Sequence, residues 1–224
     1  LDRIDDMMPT AWEETDGTST KAGLRTVAGA GGSADIEWNV GMGLPDGMNV
    51  YASFAPHPGG GQTNTNKAVG GDGGVVIGHG WDIVLTHNAL FDGLNVFAGI
   101  SNIEQTSGTG DRDQEAYGAT YAIGGATIGY QHSKDDNAGA AATYYENDAW
   151  GVSYSINDDL SISYGEHESA TNVTGAATLE ARSLQLSYSV GGASIKFAET
   201  EVDNQHYVSG TNKEGRTIAL TLAF

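Results

Sequence analysis

Six carboxylates crowd the first sixteen residues: Asp2, Asp5, Asp6, Glu13, Glu14 and Asp16, set around Pro9 and Trp12. Carboxylates gathered at a narrow passage attract cations and concentrate them, most strongly where low-dielectric walls focus the field. Asp5, Asp6, Glu13 and Glu14 also offer oxygen ligands to Ca²⁺, although their spacing does not match a twelve-residue EF-hand loop. A plainly solvated acidic loop is the alternative reading. Other reactive chemistry finds little support. His57, His79, His87, His132, His167 and His206 are scattered, with no HExxH, no paired spacing and no Ser/His/Asp order. The glycines of residues 69–74 lack a phosphate-loop lysine and follow no strand-to-helix context. The absence of Cys removes thiolate chemistry and disulfides. No enzyme and no required cofactor are therefore expected. With 29 acids against 10 bases and a formal charge of −19, nucleic acid is excluded as a partner, since phosphate contacts need the opposite sign.

What must position such a loop is legible from the other end of the chain. In residues 215–224, Ile218, Leu220, Leu222 and Phe224 share one face of an extended strand, and Thr217, Ala219, Thr221 and Ala223 share the other. An apolar strand closing on an aromatic residue suits a lipid-facing wall better than a soluble sandwich. From residue 34 onward the same unit recurs: strand, short turn, strand, longer polar loop. Trp38, Trp81, Tyr121, Tyr130, Trp150, Tyr154, Tyr164, Tyr188 and Phe197 fall on the apolar face, as interfacial aromatic girdles do. Ser153, Ser155, Ser161, Ser163, Gln185, Ser187, Ser189, Thr217 and Thr221 fall on the opposite face, which is small and polar like the wall of a water-filled lumen. Asp35, Glu37 and Lys196 are the charged candidates on that inner face. Lys196 reads equally as a selectivity residue and as half of a structural ion pair.

About eleven strands result, with turns alternately short and long. Short turns are expected at 44–47, 91–93, 124–125, 157–159 and 191–192; long loops at 57–80, 106–114, 133–143, 170–180 and 202–214. That rhythm specifies an all-β transmembrane antiparallel barrel, whose periplasmic turns are short and external loops long. No apolar run reaches the roughly 18 residues of a membrane helix, which does not count against a barrel. A bacterial single-chain barrel closes with an even strand number. Eleven strands therefore imply further strands upstream, and a chain that is part of a longer protein. Rival readings are a barrel enzyme and a soluble β-rich adhesin or surface protein.

The terminal strand ending in Phe224, and the segment Asp5-Asp6-Met7-Met8-Pro9-Thr10-Ala11-Trp12-Glu13-Glu14 eleven strands before it, resemble a Gram-negative general porin of the alphaproteobacterial type. The resemblance implies sixteen strands in the complete protein. Residues 1–33 would be the constriction loop folded into the pore, and residues 34–224 strands 6 to 16. Ile218, Leu220, Leu222 and Phe224 would be the barrel-assembly signature. It further implies a homotrimer in the bacterial outer membrane, in contact with the lipid bilayer and lipopolysaccharide. Ions and small hydrophilic solutes would diffuse through it, cations preferentially; a substrate-selective channel is the alternative.

Overall fold

In the computed structural model, residues 36–41, 43–56, 76–105, 111–137 and 143–222 are described. They form one antiparallel sheet: β1 (Ile36–Val40), β2 (Met48–Ala55), β3 (Val76–His87), β4 (Leu94–Gln105), β5 (Arg112–Ile123), β6 (Ala126–Asn137), β7 (Thr143–Ser155), β8 (Leu160–Thr171), β9 (Leu179–Val190), β10 (Ala193–Asp203) and β11 (Lys213–Leu222). Each strand pairs only with its neighbours in sequence, a meander without crossovers. The expected fold class, about eleven antiparallel strands of an all-β wall, is the observed one.

All five short turns fall where turn chemistry placed them. Gly93 shows why it must be glycine: its φ is +79°, and a Cβ there would lie 2.2 Å from the Ala122 carbonyl oxygen. That carbonyl belongs to β5, so the turn cannot swell without pushing a neighbouring strand away. Gly93→Ala is expected to cost about 1–3 kcal/mol, as left-handed strain does for a residue with a side chain. A lowered urea midpoint for the detergent-solubilised protein would show it.

The strands extend further toward the long loops than the sequence reading allowed. Arg112–Gln114, Ser133–Asn137, Leu179–Glu180 and Lys213–Glu214 are strand, not loop. The reason is physical. Beyond Tyr117, Tyr130, Trp150, Tyr164 and Leu184 the outward face changes from apolar to charged, so apolar alternation stops while hydrogen-bonded pairing continues.

That charge boundary also reports strand tilt. One cross-strand row runs Asp203–Glu180–Glu168–Asp148–His132–Tyr117–Ala98–Leu85–Val50–Val40. It is charged on β7–β10 and apolar on β1–β5. A membrane boundary lies flat, so a row that crosses it must be inclined. From Phe197 on β10 to Ile100 on β4, the last apolar residue climbs by eight residues over six strand steps, about 1.3 residues per strand. With roughly 3.3 Å per residue along a strand and 4.8 Å between strands, the tilt is about 42°, within the range for membrane barrels.

The two faces differ in exposure as a membrane wall requires. Trp38, Ile83, Ile100, Tyr130, Trp150, Tyr154, Leu186, Tyr188, Ile218 and Leu220 are exposed on the outer face. On the inner face Ser53, Asp82, Ser101, Gln114, Asp135, His167 and Ser183 are buried. A soluble β-domain does the reverse with its aliphatic side chains. A small apolar cluster does sit inside: Val84 and Ala116, packed against Tyr51 and Phe97. Phe97 lies over Gly118, where a Cβ would come within 2.7 Å of its ring.

Candidate functional site: the inner wall

Glu37 on β1 faces inward, directly opposite Ser53 on β2. The row continues through Asp82, Ser101 and Gln114 to Asp135 on β6. Ser53 Oγ donates to Asp82 Oδ1 at 2.7 Å, and Ser101 Oγ to Gln114 Oε1 at 2.9 Å. Gln114 Nε2 donates to Asp135 Oδ1 at 3.2 Å, and Arg112 Nε to the same oxygen at 2.6 Å. Arg112 Nη2 grips the other carboxylate oxygen, completing a bidentate fork. β2 is thereby laced to β3, and β4 through β5 to β6, on the inside by polar groups rather than by a hydrophobic core.

The row carries three carboxylates and one guanidinium. Sequence reasoning singled out only Glu37 among them. Asp135, Gln114 and Arg112 lie in stretches assigned to loops, and Asp82 was given no role. The missed signal was register: Asp82, Gln114 and Asp135 are each opposite an inward polar residue on the adjoining strand. Among the other expected site residues, Ile218, Leu220 and Leu222 point outward on β11, all exposed. Asp2, Asp5, Asp6, Glu13, Glu14, Asp16, Asp35 and Phe224 lie outside the described residues. Among the described residues no group of three or more Asp, Glu or His is placed to hold a metal ion.

The second half of the wall is chemically different. On β7–β11 the inner face holds no Asp or Glu among the described residues. It is paved with Ser, Thr, Gln and Ala toward the short turns and carries Lys196. There the sheet borders an open groove of about 490 Å³, lined by Ser161, Ser163, Ser187, Lys196, Thr217 and Thr221 among others. Toward the long loops the inner face closes: Gln131, Ser133, Asn147 and Ser169 are buried, and His167 Nε2 lies 3.2 Å from Asn147 Oδ1. The β10–β11 loop folds back onto this end. Tyr207 OH meets Ser169 Oγ at 2.8 Å, and its ring lies 5.3 Å from that of Tyr145. Asn204, His206 and Tyr207 all adopt positive φ to make the reversal.

Outside, aromatic tips mark the boundary between apolar and charged zones. Tyr130 OH donates to Asp148 at 2.5 Å, Tyr164 OH to Glu166 at 2.5 Å, and Trp150 Nε1 to Glu166 at 3.2 Å. Rings with a dry body and a wet tip are what a membrane interface selects. Above them Arg216 pairs with Glu199 at 2.7 Å, and Arg182 with Asp203.

A meander with an exposed apolar outer belt, aromatic tips at its edge and a polar inner face defines a porin-like outer-membrane β-barrel. Solved structures bear this out. The chain is similar to Salmonella typhi OmpF in complex with daunomycin, with a TM-score of 0.61 at 16% identity, over 84% of this chain and 61% of that one. It is similar to the outer membrane channel DcaP of Acinetobacter baumannii, with a TM-score of 0.59 at 12% identity, over 91% and 68%. It is also similar to outer-membrane expressed OmpT of Vibrio cholerae, with a TM-score of 0.55 at 13% identity, over 82% and 61%. The chain thus spans about three fifths of the length of OmpF and of OmpT. It matches no family model and no curated protein. The fold is one that resides in the bacterial outer membrane.

Proposed function

We propose that this chain forms most of the wall of a water-filled channel, through which ions and small hydrophilic solutes diffuse passively without any catalytic step. The observation that carries the reading is the pairing of two adjacent rows. Outward, Ile218, Phe197, Leu186, Ile162 and Tyr154 make an apolar row across β11 to β7; one residue further along, Thr217, Ala198, Gln185, Ser163 and Ser153 make a polar, inward one. Oil on one side and water on the other is a pore wall.

In this reading the strands are the sixth to sixteenth of a sixteen-stranded general porin of the alphaproteobacterial kind. The protein is a homotrimer in the outer membrane, with lipopolysaccharide against its charged external rim. Residues 1–33 fold into the pore, where Asp2, Asp5, Asp6, Glu13, Glu14 and Asp16 line the constriction. With Glu37 and Asp82 on the wall, they bias passage toward cations. Ca²⁺ held by Asp5, Asp6, Glu13 and Glu14 would neutralise part of that bias.

Reversal potentials of the full-length protein in planar bilayers test this. A KCl gradient should give a cation-selective potential that moves toward zero when Asp5, Asp6, Glu13 and Glu14 are changed to Asn and Gln. An unmoved potential removes the acids from the constriction. A protein that partitions into buffer without detergent and conducts nothing removes the channel altogether.

A further inference from the structure

Lys196 is the one charged side chain on the inner face of β7–β11 within the open groove, and it makes no ion pair with any described residue. Among the described residues the structural ion pair that the sequence left open is not formed. Directly opposite Lys196 stand Ser187 on β9 and Ala219 on β11, and Ser187 faces Ser161 on β8. Opposed Cβ atoms in such rows lie about 4.5–5.5 Å apart, and diagonal ones about 7–8 Å. The Lys196 ammonium therefore stands within one small solute of the hydroxyls of Ser187, Ser161, Thr217 and Thr221. None of these four hydroxyls has a hydrogen-bond partner among the described residues. An ammonium with three donors beside several free hydroxyls suits an acceptor-rich ligand with more than one charged oxygen. Chloride offers a single centre and cannot use the hydroxyls as a tetrahedral oxyanion does. The carboxylates of the wall lie on β1–β6, away from this arc.

We infer that Lys196 with Ser187, Ser161, Thr217 and Thr221 forms an oxyanion subsite at the short-turn end of the lumen, which takes phosphate-bearing small solutes inside an otherwise acidic channel. The inference rests on the channel reading. It makes the pore two-sided: cations favoured along β1–β6, and a weak stepping site for phosphate along β7–β11.

The test is inorganic phosphate added to the full-length protein in planar bilayers bathed in KCl. Phosphate should interrupt the KCl current at millimolar concentration, whereas the same concentration of added chloride should not. In Lys196→Gln the half-blocking concentration should rise about five-fold, the effect of removing one unit charge near 4 Å in water. Lys196→Arg should restore most of it. Ser187→Ala should raise it about three-fold through one lost hydrogen bond, and it serves as the readout if Lys196→Gln yields no channels. Channels that conduct KCl but ignore phosphate overturn the subsite and leave the pore standing, as does a Lys196→Gln block equal to the parent's. Absence of any conductance overturns both.

Discussion

Leu186→Arg should destabilise the folded barrel by about 2–4 kcal/mol, the cost of an arginine on the lipid face at mid-membrane depth. Leu186 sits on β9 between Phe197 and Ile162 and is 41% exposed on the outer face, open to the bilayer. Ser163→Arg makes the controlling contrast. Ser163 is one row away, on the inner face opposite Ser153 and Gln185, where a guanidinium meets water. It should cost less than about 1 kcal/mol, as lumen substitutions adjust selectivity rather than stability. Equilibrium urea unfolding in lipid vesicles reads both. The two substitutions exchange cost if the strand register is wrong by a single residue, because a one-residue slip turns every side chain to the other face. Equal costs would mean that neither face meets lipid.

The features legible in the sequence were those set by two-residue periodicity. Ile218, Leu220 and Leu222 announced an outward face because Thr217, Ala219 and Thr221 intervened, and the same alternation carried through Val152, Tyr154, Ile162, Leu184 and Leu186. The short turns were legible because φ > 0 at Gly93 or Gly191 leaves glycine little competition. Alternation fails as a signal where both faces are polar. On β5 the sequence Arg112-Asp113-Gln114 reads as loop, yet Asp113, like Glu115 after it, faces outward above the apolar belt while Arg112 and Gln114 face inward. Hydropathy cannot separate a strand between headgroups and lumen from a loop in water; only pairing with Asp135 and Lys134 does. The inner polar row was hidden for the same reason. Its members are 13 to 29 residues apart in sequence, for Ser53–Asp82, Ser101–Gln114 and Gln114–Asp135 alike. No local motif announces such a row. Tyr51 and Phe97 depart from the pattern differently: both are large rings on the inner face, where small polar residues were expected, and each is accommodated beside a small neighbour such as Ala116 or Gly118.

Asp135→Ala is the substitution expected to damage the wall most from within. Its carboxylate, 1% exposed, is the acceptor shared by Arg112 Nε, Arg112 Nη2 and Gln114 Nε2. Removing one partner of a buried pair costs about 3–5 kcal/mol, because the remaining charge stays where water cannot fully reach it. A lowered thermal or urea midpoint in detergent measures that loss. The polar row predicts a second result that a generic core defect would not give. Replacing both partners with apolar residues of similar size, Arg112→Met with Asp135→Leu, should recover most of the stability, since matched hydrophobic groups can replace a buried ion pair at little net cost. The double variant would then separate two roles that the pair combines. Stability returns, while the inner face loses a carboxylate and a guanidinium together, so net wall charge and cation preference should barely move. A double variant as unstable as Asp135→Ala alone would mean that the row holds β5 and β6 through its hydrogen bonds to Gln114, not through the ion pair.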